Sequence, residues 1–202
     1  RSYNRNGLLV AVDQEIGGIC RLEHLVPQYP DMINFSDDHY SDFELEALFT
    51  SVARAAKKMG VNCFLAPILD LVTGTNPWLE GRTWSTDPET VAKVSSLFIR
   101  TIQKQGVVSC AKHFPGFHHI PLDPAVDPDA VIYEHESSFE PGFIPFADAV
   151  RNGVDMIMTG PAIAEAFDKT HPASLSAEII GMLRTAFEFK GVVLSDDLDA
   201  KA

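Results

Sequence analysis

Short apolar runs alternate along this chain with longer stretches in which apolar positions recur at helical spacing. The short runs predict five strands, at Leu8–Val12, Val61–Leu69, Val107–Lys112, Asp155–Thr159 and Gly191–Ser195. The longer stretches predict four helices, at Phe43–Met59, from about Thr86 to Gln105, at Phe146–Arg151 and at Ser176–Phe187. Strands that alternate with helices in this way predict an α/β fold with a parallel sheet.

Capping residues mark the starts of two predicted helices. Ser41 and Asp42 stand at the first start, and Thr86 and Asp87 stand at the second. Their side-chain oxygens can accept hydrogen bonds from the unpaired N–H groups of a first helical turn. Pro88 also suits the first turn of a helix. These signals agree with the helix starts that the apolar pattern indicates.

Polar side chains follow nearly every predicted strand. They are Asp13, Asp70, the pair Lys112 and His113, Thr159 and Asp196. The C-terminal ends of parallel strands meet at one edge of a sheet or barrel, and the active sites of such folds lie there. A Lys-His pair and the carboxylates of Asp196 and Asp197 at that edge predict a polar site.

Length and charge limit the classes of protein that fit. The chain has 202 residues, of which 46% are hydrophobic, so we expect one globular domain over residues 1–202. No apolar run reaches the ~18 residues of a membrane span. A net charge of −12 makes nucleic acid and anionic membranes poor partners. An eight-stranded barrel usually needs ~250 residues, so five strands indicate a segment of a larger barrel.

The cysteines and histidines give no sign of a zinc site. Cys20, Cys63 and Cys110 are scattered in apolar contexts, and an odd count favours reduced, buried thiols. No secretory signal pattern follows Arg1, so we expect a cytoplasmic protein. Neither a Cys-x-x-Cys pair nor a His-Glu-x-x-His motif is present, and we expect neither a metal nor a cofactor.

Five segments together identify a family. They are Val10–Glu15, Leu65–Asp70, Gly81–Pro88, Lys112–Gly116 (Lys-His-Phe-Pro-Gly) and Ser195–Leu198 (Ser-Asp-Asp-Leu). In their order and spacing the chain resembles the N-terminal (β/α)8 domain of glycoside hydrolase family 3, on the bacterial β-N-acetylglucosaminidase branch. The resemblance implies a TIM-type barrel that is incomplete here. The family's first strand would precede Arg1, and its last strands would follow Ala202.

The resemblance implies a retaining hydrolase that acts on a small carbohydrate without a cofactor. Such enzymes place two catalytic groups on either side of the glycosidic bond. Asp196 matches the nucleophile, which would form a glycosyl-enzyme, and Asp197 would be its structural neighbour. The alternative is that both carboxylates cap a helix after the strand.

Five further residues match sugar-binding positions of the family. They are Asp13, Arg21, Arg82, Lys112 and His113. Charge-assisted hydrogen bonds suit hydroxyl recognition, because they are stronger than bonds between neutral groups. Simpler alternatives exist: Asp13 and Arg21 form only an ion pair, Arg82 only pairs with Asp87, or His113 is a hydrogen-bonded interior histidine.

The loop 116–129 departs from the family pattern at the acid/base. The resemblance implies a catalytic Asp-His dyad, whose aspartate falls on Asp123 but whose histidine falls on Ala125. His119 is the first substitute and His118 the second, since a histidine pKa lies near the working pH. Asp127 is a further candidate. The alternative is that both histidines are solvated.

Three functions fit the sequence. The first is removal of β-linked N-acetylglucosamine from cell-wall fragments or related sugars. The second is a family member with other chemistry, either a different β-glycosidase or a phosphorylase. The third is a non-catalytic sugar-binding relative that lacks the usual acid/base histidine. The sequence leaves the oligomeric state open.

Overall fold

The protein is an α/β structure with a parallel sheet, as the alternation of apolar runs predicts. A computed structural model describes residues 7–15, 18–22, 24, 40–73, 75–117 and 119–202. The strands are β1 (Ala11–Val12), β2 (Cys63–Phe64), β3 (Val108–Phe114), β4 (Val131–Ile132), β5 (Met156–Thr159), β6 (Ile163–Ala164) and β7 (Val192–Ser195). The helices are α1 (Asp42–Lys58), α2 (Pro88–Lys104), α3 (Glu140–Arg151) and α4 (Ala177–Thr185).

The main sheet has five strands in the order β1-β2-β3-β5-β7, and every neighbouring pair is parallel. These are the five strands that the sequence predicts. β4 and β6 form a separate two-stranded parallel sheet that the sequence analysis did not predict. Each has only two residues, too short for an alternation to be visible. Because the five strands of the main sheet are parallel, their C-terminal ends all lie at one edge of that sheet.

The first two strands are shorter than predicted. β2 ends at Phe64, whereas the apolar run continues to Leu69. Pro67 has no N–H group and interrupts the ladder, although its carbonyl still accepts a hydrogen bond from the Lys112 N–H at 3.0 Å. A parallel bridge between Ile68 and Lys112 restores the pairing. The segment therefore reaches the same edge of the sheet as the strand predicted there.

The predicted start of the third helix was wrong. The helix α3 begins at Glu140 rather than at Phe146. Pro141 suits its first turn, but Pro145 lies inside the helix and lacks the N–H that would continue the hydrogen-bond ladder. Pro145 thus hid the start of α3 in the sequence, because a proline inside a helical pattern normally marks the end of a helix.

The other helix starts follow their capping signals. Ser41 and Glu44 form a capping box at α1, in which the Glu44 N–H donates to Ser41 Oγ at 3.3 Å and the Ser41 N–H donates to Glu44 Oε2 at 2.8 Å. Asp87 caps α2, since its Oδ2 accepts the Thr90 N–H at 2.8 Å. Both helices therefore begin where the capping residues indicate.

Aromatic side chains fill the layer between helices and sheet. Phe49 of α1 packs edge-on against Phe98 of α2, with ring centroids 5.1 Å apart, and against Trp84 at 5.8 Å. Phe114 of β3 meets Phe146 of α3 edge-on at 5.2 Å. Buried aromatic pairs each add about 0.5–1.5 kcal/mol beyond their area. This layer fixes the strand ends that carry the polar residues.

The opposite face of the sheet carries a small sulfur-rich cluster, formed by Cys63, Cys110, Met156 and Met158. Burial raises the pKa of Cys63 to about 11 and that of Cys110 to about 12, so both remain neutral thiols. Cys20 is half-buried rather than buried, and none of the three cysteines forms a disulfide. Among the described residues, no helix combines the length and apolar character needed to cross a bilayer.

Candidate active site

A pocket of about 190 Å³ opens where the strand ends meet. Seven residues that the sequence analysis selected line it, namely Asp13, Arg82, Lys112, His113, Asp123, Asp196 and Asp197. Asp13 follows β1, Lys112 and His113 lie in β3, and Asp196 follows β7. The parallel sheet brings these residues together from distant parts of the sequence. The structure thus places a polar site where the strand-end pattern indicated one.

Lys112 lies at the centre of a network of charges on one side of the pocket. Its Nζ is 2.8 Å from Asp13 Oδ1 and 3.1 Å from Glu15 Oε1. Arg82 holds the same Glu15 with two parallel bonds, from Nη2 to Oε1 at 2.8 Å and from Nε to Oε2 at 3.0 Å. The side chain of Asp13 remains 31% exposed, whereas that of Glu15 is fully buried. The network therefore presents Asp13 to the pocket and keeps Glu15 behind it.

The environment of Glu15 keeps it ionised. Burial alone raises its pKa, but the hydrogen bond from Arg82 and the positive charges of Lys112 and Arg82 outweigh burial and lower the pKa to about 2. The same contacts raise the pKa of Arg82 against the opposing effect of burial, and Asp123 contributes to that rise from across the pocket. Both partners stay charged at neutral pH.

We expect Glu15 to make the free energy of unfolding depend on pH in the acid range. A carboxyl whose pKa falls from 4.5 to about 2 on folding stabilises the protein above pH ~4.5 and loses that contribution as the pH falls toward ~2. The contribution is on the order of 3 kcal/mol. Urea unfolding measured between pH 6 and pH 2 should show that the free energy of unfolding decreases as the pH falls. In Glu15→Gln this decrease with pH should be smaller.

An exposed glutamate of α1, Glu46, provides the matched control. Glu46→Gln removes the same negative charge without touching the buried network, so its free energy of unfolding should depend on pH as that of the wild type does. If the free energy of unfolding depended on pH equally in the wild type and in Glu15→Gln, the role assigned to Glu15 would be contradicted.

His113 occupies the middle of the pocket and contacts two carboxylates. Its Nδ1 is 2.7 Å from Oδ2 of the buried Asp70, and its Nε2 is 3.8 Å from Asp196 Oδ2. The imidazole stacks on Phe117, with centroids 4.9 Å apart and planes 28° apart. A Cβ at Gly160 would lie 2.3 Å from Cζ of Phe117, so only glycine leaves room for that ring. His113 is therefore held by Phe117 at one face of the ring and by Asp70 at Nδ1, while Nε2 faces Asp196.

Asp196 is anchored at the end of β7. Its backbone N–H donates to the Thr159 carbonyl at 3.0 Å, and its Oδ1 accepts the Asp197 N–H at 2.8 Å. The side chain remains 24% exposed and lines the pocket. One oxygen is thus fixed by the backbone, while Oδ2 faces His113.

The loop after β3 contributes to the pocket and is fixed by side chains of the segment between β2 and α2. Asn76 Nδ2 donates to the Phe117 carbonyl at 2.8 Å, and Trp78 Nε1 donates to the Ile120 carbonyl at 3.0 Å. Farther along, Asp123 Oδ1 accepts the Ala125 N–H at 3.0 Å. Asp123 and Ala125 both line the pocket. This loop thus brings the Asp123 carboxylate, a group that can exchange protons, into the same pocket as Asp196.

Several other candidates lie elsewhere. Arg21 is exposed, and its backbone N–H donates to the Asp13 carbonyl at 3.2 Å. His119 is half-buried and is not among the described residues that line the pocket, nor is Asp127. His118 lies outside the described residues.

Two of the simpler alternatives are replaced by other partners. Arg82 pairs with Glu15 rather than with Asp87, which caps α2 instead. Asp13 has Lys112 as its ion-pair partner at 2.8 Å, whereas Arg21 was considered for that role. The Asp13–Lys112 pair therefore connects the segment after β1 to β3. The Arg82–Glu15 pair connects the segment after β1 to the segment between β2 and α2.

Sequence reasoning assigned no specific role to two carboxylates behind the pocket, Glu15 and Asp70, although it named Asp70 among the polar residues at the strand ends. Both lie within segments that identified the family, and Asp70 also follows a predicted strand, but neither was assigned a role. A buried carboxylate needs charged or N–H partners. A carboxylate within an otherwise apolar segment was the signal in the sequence that could have identified both residues.

The described part of the chain contains no group of three or more His, Cys, Asp or Glu residues arranged to hold a metal ion. The pocket instead contains four carboxylates and two cations: Asp13, Asp123, Asp196, Asp197, Arg82 and Lys112. Both cations already pair with carboxylates. The lining is therefore net negative.

Comparison with known proteins gives a consistent result. Residues 2–202 match the model of the glycosyl hydrolase family 3 N-terminal domain. The chain is 30% identical over 208 residues to an uncharacterized secreted glycosyl hydrolase of Arthroderma benhamiae, covering 98% of this chain and 57% of that protein. It is 31% identical over 205 residues to a β-hexosaminidase of Xylella fastidiosa, covering 96% of this chain and 59% of that protein.

A solved structure agrees with these relatives. The β-N-acetylhexosaminidase of Beutenbergia cavernae superposes with a TM-score of 0.84 at 28% identity, over 96% of this chain and 59% of that one. The chain thus spans less than two thirds of the length of the proteins that it matches. The parallel sheet and its helices correspond to part of a TIM-type barrel.

Proposed function

The chain belongs to the glycosyl hydrolase family 3 N-terminal domain family, and we propose that it forms the catalytic barrel of a retaining hydrolase that removes terminal β-linked N-acetylglucosamine. Relatives and neighbours named as β-hexosaminidase and β-N-acetylhexosaminidase support this activity. The observation that carries the proposal is the position of Asp196, which lines the same pocket as the Asp13–Lys112 pair and Asp123. Cytoplasmic location and a single domain over residues 1–202 stay predictions.

In this proposal Asp196 is the nucleophile. Its carboxylate attacks the anomeric carbon and forms an ester, while the bond from that carbon to the leaving oxygen breaks and the oxygen receives a proton. Water then displaces the ester, which returns the carboxylate and gives the sugar with its original β configuration. The Asp197 N–H, which donates to Asp196 Oδ1 at 2.8 Å, supports this role, because it orients the carboxylate.

The charged network would bind the hydroxyls of the terminal sugar. Asp13 offers a partly exposed acceptor, and Lys112 and Arg82 offer donors whose positions Glu15 fixes. Hydrogen bonds to charged groups contribute about 1.5–3 kcal/mol each. His113 completes this side of the pocket through Nε2. Arg21 enters this model only if its side chain turns toward the pocket.

We assign the acid/base role to Asp123. It lines the pocket, and its charge acts on Arg82 across it, whereas His119 lies outside the described lining. A carboxylic acid can protonate the leaving oxygen and, after ionisation, remove a proton from water. Asp123 would do both without the histidine that the family pattern places at Ala125.

The charges of the lining disfavour a phosphorylase, the second function considered. Phosphate would approach four carboxylates and two cations that are already paired. The negative charges of phosphate and of the carboxylates repel each other, which opposes binding. Water is therefore the better acceptor. The carboxylates of Asp123 and Asp196 in one pocket also favour catalysis over sugar binding alone.

Turnover of a chromogenic aryl β-N-acetylglucosaminide by the full-length protein tests the proposal, with the aryl β-glucoside as the comparison. We expect kcat/KM to be larger for the N-acetylglucosaminide, and the rate to be unchanged by phosphate at constant ionic strength. A preference for the glucoside would indicate another glycosidase. A sugar 1-phosphate product would indicate a phosphorylase, and binding without turnover would indicate a non-catalytic relative.

A further inference from the structure

Asp70 is a fully buried carboxylate behind the pocket, and its hydrogen bonds converge on one short segment. Its Oδ2 accepts the His113 backbone N–H at 3.1 Å and lies 2.7 Å from His113 Nδ1. Its Oδ1 accepts the Phe117 backbone N–H at 2.9 Å. A carboxylate removed from water needs such partners to offset its desolvation. Asp70 therefore links the end of β3 to the turn that follows it and contacts the imidazole of His113.

The contact with Asp70 determines which nitrogen of His113 carries a proton. An ionised carboxylate accepts hydrogen bonds and cannot donate them. At 2.7 Å the ring Nδ1 must then be the donor. Nε2 is the nitrogen that faces the pocket, 3.8 Å from Asp196 Oδ2.

The imidazole cannot easily reverse this arrangement by turning over. One face stacks on Phe117, and Phe117 occupies the space next to the Cα of Gly160. Trp78 packs against the same phenyl ring at 5.4 Å. A flip would also place the Cδ2–H group, instead of the Nδ1–H donor, against the Asp70 carboxylate. The orientation of His113 is thus determined by Asp70 and kept by the aromatic neighbours.

We propose that Asp70 is a positioning residue that holds His113 in the form protonated at Nδ1 and thereby presents Nε2 to the sugar and to Asp196. In the neutral ring, Nε2 is a hydrogen-bond acceptor for a sugar hydroxyl. In the charged ring, Nε2–H is a donor directed at the nucleophile. The kinetic consequence rests on the proposed function, whereas the protonated nitrogen can be measured without it.

The first experiment measures the ring nitrogens of His113 by ¹⁵N-edited NMR in the wild-type, full-length protein, with His113→Ala to assign the signals. We expect Nδ1 to be protonated. A ring with bare Nδ1 and protonated Nε2 would overturn the proposal. This result is independent of turnover, so it remains decisive if the protein hydrolyses no β-N-acetylglucosaminide.

The second experiment replaces the carboxylate with an amide. Asp70→Asn keeps the shape of the side chain but removes its charge, and its one oxygen can replace only one of the two carboxylate oxygens that accept hydrogen bonds from His113 and Phe117. Hydrogen-bond partners of metal-bound histidines contribute about 10–100-fold, and an Asp→Asn change beside a catalytic histidine costs up to about 10⁴-fold in kcat. We expect kcat to fall by about 10²-fold, and the ring nitrogen signals of His113 to shift, because the neutral amide holds the Nδ1 proton less strongly.

A second Asp–His pair in the chain provides the control. Asp168 Oδ2 lies 3.2 Å from Nδ1 of the exposed His171, away from the pocket. Asp168→Asn should leave kcat and the His113 signals unchanged, even if it lowers the melting temperature. This comparison separates loss of an Asp–His contact in general from loss of this one.

A double-mutant cycle separates positioning from folding. If Asp70 acts through His113, Asp70→Asn should cause little further loss of kcat in a His113→Ala background. The same fold-loss in both backgrounds, or an unchanged kcat in Asp70→Asn, would overturn the proposal. Should Asp70→Asn fail to fold, the wild-type NMR measurement decides alone.

Discussion

Replacing Asp196 with asparagine should abolish turnover while preserving the fold. The amide has nearly the same shape, and the Asp197 N–H can still donate to its oxygen. It cannot form the glycosyl ester, however, and removing a catalytic nucleophile costs about 10⁴- to 10⁶-fold in kcat. Steady-state rates on an aryl β-N-acetylglucosaminide, with circular dichroism to verify folding, measure the effect.

Asp199 provides a matched control for this substitution. It is exposed, lies three positions farther along the same segment and is not among the described residues that line the pocket. Asp199→Asn should therefore keep the wild-type rate. A 2-deoxy-2-fluoro glycoside or another slow substrate that traps the ester should label the peptide containing Asp196. A label on Asp197, or a normal rate in Asp196→Asn, would refute the assignment.

The edge of the sheet that carries the polar residues could be predicted from the sequence, because one physical rule determines it. Parallel strands end at the same edge, so residues that directly follow apolar runs become neighbours. Asp13 and Asp196 are examples, since each follows a run that forms part of the sheet. The rule requires no knowledge of side-chain contacts.

The partners of those residues could not be predicted in the same way. Lys112 and Asp13 are 99 positions apart, and Arg82 and Glu15 are 67 positions apart. Arg82 had a nearby acidic residue in Asp87, which was the obvious partner by spacing. The buried Glu15 competes better, because two cations can approach it with little competition from water.

Loop positions are the hardest to predict, because a loop has no periodicity that assigns its side chains to a face. The segment between β3 and β4 places Asp123 at the pocket but leaves His119 outside the described lining. Hydrogen bonds from Asn76 and Trp78 to carbonyls of this segment determine its path. Neither bond can be inferred from the loop's own sequence.

The identity of the acid/base can be tested with two leaving groups. A general acid contributes about 10²–10⁴-fold where the leaving oxygen needs a proton. We expect Asp123→Asn to lower kcat/KM by about 10²-fold or more on a β-linked N-acetylglucosamine disaccharide. The loss should be less than about tenfold on an activated aryl glycoside, because that leaving group departs without protonation. Initial rates on both substrates give the two ratios.

His119→Ala and Asp127→Asn complete the comparison, since both positions lie near Asp123 in the loop but outside the described lining of the pocket. We expect each to affect the two substrates equally and only slightly. A large loss restricted to the disaccharide in His119→Ala would transfer the role to the histidine, and the same pattern in Asp127→Asn would transfer it to that carboxylate. Equal losses on both substrates in Asp123→Asn would mean that Asp123 binds the sugar or supports the loop, because loss of an acid must depend on the leaving group.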